Sequence, residues 1–187
     1  AAQKNLNTVL LDDKNSLGGS TIFQNNENFK INNDNSNLWL KKEIETLNSF
    51  KNLTVKTRTS LAAYHSYNYL LAKENLTDHL SLNERKDKIR QRLWKIRAKK
   101  VIIATGAIER PLIFNNNDRP GIILSSSIKK YIDYYGVKCG QKISLFTNND
   151  SAYETAISLN NNGVSVNSII DIREKSNSSI VKQAEKL

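Results

Sequence analysis

Methionine is missing from all 187 residues, position 1 included, and the chain opens on Ala1-Ala2-Gln3-Lys4, which has the character of a helix already under way. The expectation is an internal piece of a longer protein. Cysteine is nearly missing as well: Cys139 alone leaves no internal disulfide, no redox dithiol and no cysteine-rich zinc site within these residues. The only histidines, His65 and His79, have no carboxylate or cysteine at metal-ligand spacing, so the sequence assigns no metal ligand and no catalytic residue. No apolar run approaches the ~18 residues that a membrane span needs, and no signal peptide is visible. A cytoplasmic chain without a membrane partner is expected.

What is present is globular in composition, 39% hydrophobic and 25% charged, and long enough for one domain or two small ones. The net charge of +10 invites a nucleic-acid reading, but the lysines are scattered among asparagine and isoleucine, and no aromatic-basic recognition motif accompanies them. A compositional bias explains the charge better, and no nucleic-acid partner is expected.

The segment 101–111, Val-Ile-Ile-Ala-Thr-Gly-Ala-Ile-Glu-Arg-Pro, organises the rest. Its apolar, mostly β-branched start predicts a short strand buried on both faces, as in a parallel sheet. Thr105-Gly106 ends it, and a glycine at the carboxyl end of such a strand lets backbone approach a ligand without an intervening Cβ. In open α/β sheets that rim is where ligands sit. An ordinary turn closing a buried strand is the plainer reading of the same residues.

Upstream, Thr8-Val9-Leu10-Leu11 predicts a strand ending in Asp12 and Asp13, followed by Gly18-Gly19. In a dinucleotide-binding βαβ unit an acid at the end of the second strand accepts hydrogen bonds from ribose hydroxyls, and Asp13 is placed for that. The glycine-rich phosphate loop would lie upstream of Ala1. A polar strand end before a Gly-Gly turn remains the alternative. Residues 23–37 read as an asparagine-rich loop, with Ser36 or Asn37 capping a helix whose apolar face holds Leu38, Trp39, Ile44, Leu47 and Phe50. Residues 53–57 and 60–64 read as strands, and with the alternating segment 91–98 they predict a small antiparallel meander. The tyrosine-rich cluster 64–69 suits either stacking on a flat ligand or packing within the sheet.

A boundary is expected in the turn-rich linker after Pro111, giving a first dinucleotide-binding domain over 1–113 and the start of a second, degenerate one over 114–187. In the second, a helix over 125–135 with Ile128, Ile132 and Tyr135 on one face and Gly136 as its stop precedes a strand, a helix over 150–159 and another strand. The loop between that strand and helix, Thr147-Asn148-Asn149-Asp150-Ser151-Ala152, contains no glycine, and Asp150 puts negative charge where a pyrophosphate would sit. Asp150 or Ser151 as an N-cap is the better reading. Asp171 lies 21 positions after Asp150, as a ribose-binding acid would, and Arg173 would suit a 2′-phosphate. The second site reads as weakened or vacant.

The runs Ala104-Thr105-Gly106-Ala107-Ile108-Glu109-Arg110-Pro111-Leu112, Asn117-Asp118-Arg119-Pro120-Gly121 and Phe146-Thr147-Asn148-Asn149-Asp150-Ser151-Ala152-Tyr153 carry a resemblance, joined by Arg92-Leu93-Trp94-Lys95-Ile96-Arg97-Ala98 and Thr77-Asp78-His79-Leu80. In the same order along nearly the whole chain, they resemble the α subunit of heterotetrameric sarcosine oxidase. The wider superfamily of two-dinucleotide-domain flavoproteins includes thioredoxin reductase, whose paired cysteines and second glycine loop this chain lacks. The resemblance implies an α/β, Rossmann-like three-layer FAD/NAD(P)-binding fold with a small antiparallel meander, truncated at both ends. It implies bound NAD, with Asp13 on a ribose, Gly18 and Gly19 near the cofactor, Thr59 beside the adenine, and Thr105 and Gly106 in contact by backbone. It further implies a hetero-oligomer with other sarcosine oxidase-type subunits. FAD, FMN and the tetrahydrofolate that takes the one-carbon unit of sarcosine lie elsewhere in that complex, so this part alone is expected to be inactive. The alternatives are the α subunit of a related FAD-dependent amine, opine or proline dehydrogenase, and a scaffold that binds no nucleotide.

Overall fold

The structure, a computed structural model, describes residues 1–23, 30–174 and 176–187. The described residues form two compact units, the first holding 1–21 and 30–105, the second 22–23, 106–174 and 176–187. The boundary expected after residue 113 falls inside the second unit.

In the first unit β1 (Thr8–Leu11) pairs in parallel with β4 (Leu53–Lys56), Thr8 opposite Leu53 and Leu11 opposite Lys56. Between them come a small hairpin of β2 (Lys30–Ile31) and β3 (Asp34–Asn35) and then α1 (Ser36–Ser49). Parallel neighbours need such a crossover, because a tight turn cannot return the chain in the same direction. The helix is capped one residue earlier than the sequence suggests: the Asn35 side chain accepts from the Asn37 amide at 3.0 Å, while Ser36 is buried. Part of the loop read over 23–37 lies outside the described residues, and the rest holds the hairpin.

The meander exists, with different members. It comprises β5 (Thr59–His65), β6 (Tyr69–Asn75) and β7 (Gln91–Arg97), ordered 5-6-7 and antiparallel throughout. The strand beginning at Leu53 belongs to the parallel pair instead, and β6 was hidden by the tyrosine cluster preceding it. Alternation places Leu70, Ala72 and Glu74 of β6 on one face, all three buried. Tyr67 is 86% exposed with φ 61°, and Tyr64 donates to Asn68 Oδ1 at 2.6 Å, so the cluster forms the tip joining β5 to β6.

The expected strand at 101–104 does not form. Ile102 is 85% and Ile103 66% exposed, and no described strand pairs with them. β-Branched sequence supplies a propensity, but a strand exists only as a member of a ladder. The ladder of β1 is filled on one side by β4 and on neither side by this segment.

The second unit is a parallel pair with its crossover helix. β8 (Lys142–Thr147) and β9 (Ser165–Asp171) flank α3 (Ser151–Asn161), against which α2 (Ser125–Asp133) and α4 (Ser179–Ala184) pack. Its core is Ile128 and Ile132 of α2 with Leu159 and Val164, joined by the half-buried Ile143 and Val166. Tyr135, expected on the inner face of α2, lies past its last turn and is 56% exposed. Glu109 accepts from the amides of Ser125 and Ser126, satisfying two donors at the start of α2 that no helical carbonyl can reach.

Candidate functional site

At the carboxyl end of β1 the backbone is knitted to the turn between β4 and β5. The Asp12 amide donates to Lys56 O at 2.9 Å, Thr59 N donates to Asp12 O at 2.8 Å, and Arg58 N donates to Lys14 O at 2.6 Å. Arg58 adopts φ 50°, a left-handed conformation that a side chain tolerates only when surrounding bonds impose it. Its carbonyl accepts from Asn75 N, which ties the same turn to the end of β6.

This frame separates the two carboxylates. Asp12 is used locally, its Oδ1 accepting from the Lys14 amide at 2.8 Å. Asp13 projects outward with 58% of its side chain exposed and meets Lys14 Nζ at 2.7 Å, an exposed pair that water can readily replace. Gly18 and Gly19 follow at φ 129° and 54°, opening a 3₁₀ turn over Gly19–Phe23. A Cβ on Gly19 would meet nothing within 4 Å, so the surface there is open and the glycine is required by backbone conformation. Thr59 is 2% exposed, and its hydroxyl donates to Thr57 O at 2.9 Å. It supports the turn from below and has no free donor to offer. Thr105 is exposed, and Gly106, at φ 70° with open space around its Cβ position, begins the second unit.

Sequence reasoning missed the polar cluster beneath this turn. Glu74, buried and opposite Thr59 in the β5–β6 register, accepts from Trp94 Nε1 at 2.7 Å and stands 3.6 Å from both Lys56 Nζ and Arg92 Nη1. Lys56 and Arg92 lie over the Trp94 ring at 4.6 and 5.4 Å from its centroid. The alternation Arg92-Leu93-Trp94 carried part of the signal, but only the β6 register shows that a carboxylate sits between two cations. Glu74→Gln keeps an acceptor for Trp94 and discards the charge. We expect it to lower unfolding free energy by about 1 kcal/mol, since hydrogen bonds to charged groups exceed neutral ones by roughly that. Chemical denaturation of the variant checks this, and no change would mean that the cations are satisfied by water.

In the second unit the corresponding strand-to-helix loop closes on itself. Thr147 Oγ1 donates to Asn149 O at 2.9 Å and accepts from Asn149 N at 3.1 Å, and Asn149 Oδ1 accepts from the Ser151 amide at 3.0 Å. Asp150 occupies the N-cap position of α3, but its carboxylate does not cap; it pairs with Arg173 Nη2 at 2.7 Å and accepts from Ser176 Oγ at 3.1 Å. Arg173 also forks onto Asp171, Nη2 to Oδ2 at 2.6 Å and Nε to Oδ1 at 3.0 Å, while Tyr153 donates to Asp171 Oδ2 at 3.0 Å.

Those contacts set the protonation states. The Arg173 hydrogen bonds hold the Asp171 carboxyl well below the usual carboxylate range, outweighing its partial burial. Burial, helped by the Asp171 carboxylate, raises the Tyr153 phenol. A folded-state pKa raised above the unfolded one stabilises the fold fully below the unfolded value, near 10 for tyrosine, and loses that contribution as pH climbs past it. We therefore expect Tyr153→Phe to be less stable than the native chain near pH 7 and the gap to narrow above about pH 10. Thermal midpoints across that range test it; a gap independent of pH would show that folding leaves the phenol's hold on its proton unchanged.

Among the described residues no group of three or more histidine, cysteine or acidic side chains is placed to hold a metal, and no helix is long and apolar enough to cross a membrane.

No family model matches the chain. Among individual proteins, it is 36% identical to the sarcosine oxidase subunit alpha of Corynebacterium sp. (strain U-96) across 93% of its own length and 18% of that protein's. The subunit from Rhizobium meliloti (strain 1021) matches at 33% identity over 88% of the chain and 16% of its own length. The chain thus spans less than a fifth of the relatives it matches. Among solved structures, L-proline dehydrogenase from P. horikoshii superposes with a TM-score of 0.67 at 23% identity, covering 94% of this chain and 33% of that one, and shows the same α/β, Rossmann-like fold. The chain is similar to sarcosine oxidase α subunits, matching one stretch of them along nearly its whole length.

Proposed function

We propose that the chain is the dinucleotide-binding part of the α subunit of a sarcosine oxidase-type amine oxidoreductase, with NAD held on its first unit. One observation carries the reading beyond homology: at the carboxyl end of a parallel strand, Asp12 is consumed by its own turn while Asp13 is exposed, held only by a surface pair with Lys14, and the open backbone of Gly19 follows in the chain. That is the chemistry a ribose needs, a carboxylate acceptor for two hydroxyls with backbone that carries no Cβ close by in sequence. Thr59 supports this arrangement as a buried strut, and Thr105, at the end of the same unit, is assigned to the cofactor by backbone. The oxidative demethylation of sarcosine and transfer of its one-carbon unit to tetrahydrofolate are assigned to other parts of a hetero-oligomer. The role left to these residues is to bind and orient a nucleotide.

The second reading is the α subunit of an FAD-dependent amine or proline dehydrogenase, favoured by the solved relative of the same fold. The intact α subunit, denatured and its released nucleotide identified by absorbance and mass, separates the two. NAD supports the first reading, FAD the second, and release of no nucleotide overturns both.

A further inference from the structure

A two-unit fold of this kind implies a second dinucleotide position at the carboxyl edge of β8 and β9. The residues there do not fit one. A dinucleotide bridges two anchor points, the start of the crossover helix, whose amides meet phosphate, and the acid ending the next strand, which meets ribose. In this chain both anchors are already joined. Asp150 at the start of α3 and Asp171 at the end of β9 are held by one guanidinium, Arg173, at 2.7 and 2.6 Å.

The surroundings agree. The amides of Asn149 and Ser151, which would turn toward a phosphate, are taken by Thr147 Oγ1 and Asn149 Oδ1. The Oδ2 oxygen of the ribose-type acid, already held by Arg173 Nη2, also accepts from Tyr153, itself only 8% exposed. A phosphate arriving at α3 would face the Asp150 carboxylate at contact range, and like charges there oppose binding.

We infer that the carboxyl edge of the second unit is a guanidinium site filled by the chain's own Arg173, which spans the two points that a dinucleotide would otherwise bridge. Its ligand chemistry is therefore inverted, two carboxylates selecting a planar cation where the fold ordinarily selects an anion. Arg173 and the Ser176 hydroxyl also fasten the chain leaving β9 to the start of α3, so the closed site stabilises the unit.

Two measurements on the intact α subunit test this separately from the proposed function. First, Arg173→Gly is expected to lower the thermal midpoint by several degrees, and ethylguanidinium at millimolar concentration to restore part of the loss where ethylammonium does not, because only a planar fork matches two carboxylates. Equal recovery by both cations, or by neither, overturns the assignment. Secondly, Asp171→Asn is expected to leave the nucleotide content unchanged, whatever that nucleotide is. Loss of one equivalent on Asp171→Asn would show a working dinucleotide site and overturn the inference, even if Arg173→Gly fails to fold. Loss of nucleotide on Asp13→Ala bears only on the first unit, so either proposal can fail alone.

Discussion

Asp13→Ala in the intact subunit is expected to weaken nucleotide retention ten- to a hundredfold. A carboxylate accepting from ribose hydroxyls makes charge-assisted hydrogen bonds, and the net loss of one such bond, about 1.5–3 kcal/mol, corresponds to that range because every 1.4 kcal/mol is tenfold in affinity. The loss should appear as substoichiometric nucleotide after purification, recoverable by adding excess. Asp13→Asn, which keeps one acceptor oxygen but loses the charge, should fall between. Asp12→Ala supplies the contrast: its carboxylate serves the Lys14 amide, so its removal should reduce stability first. Full retention in Asp13→Ala alongside loss in Asp12→Ala would reverse the two assignments.

The largest stability effect is expected from Leu159→Ala. Leu159 is 1% exposed and closes the core formed with Ile128, Ile132 and Val164. Truncating a buried leucine removes its transfer free energy and leaves a cavity, at a cost of about 2–5 kcal/mol. Two helices and two strands meet there, so little of the void can collapse, and the upper half of that range is expected. Leu159→Met, which conserves volume, should cost less than about 1.5 kcal/mol. A loss below 1 kcal/mol for alanine, measured by denaturant unfolding, would show that the second unit is not held by this core.

How much of this could be read in advance depended on how local each signal was. The β8-α3-β9 unit was legible because alternation in the strands and the helical spacing of Ala152, Ala156 and Leu159 are properties of short windows, and all three of those residues are buried. Residues 101–104 misled because a strand's existence depends on a neighbour supplied from elsewhere, and no window reports that. The cap at Asn35 was missed by one residue, since Asn35, Ser36 and Asn37 are all competent caps and only the backbone decides among them. Asp13 could be picked out as a candidate, yet the reason that Asp12 is unsuitable, a turn closed by its own carboxylate, is visible only in three dimensions. Likewise, the missing glycine at Asn148-Asn149 announced a poor phosphate loop, but not that Arg173 would take its place.

The open segment at 101–104 has a consequence for handling the chain in solution. Val-Ile-Ile is a run of strong β-formers that joins no strand among the described residues, the kind of edge along which copies of one chain add to each other. Lys99 and Lys100 precede it, and Glu109, Arg110 and Pro111 follow. Charges and a proline flanking a sticky run act as gatekeepers, and two copies approaching in register would bring lysine against lysine. That protection is electrostatic, so it fades as the screening length contracts from about 10 Å at 0.1 M salt to about 3 Å at 1 M. Preparations should stay monodisperse in dilute buffer and gather into sheet-rich aggregates as salt is raised, the reverse of what a patch held together by ion pairs would do.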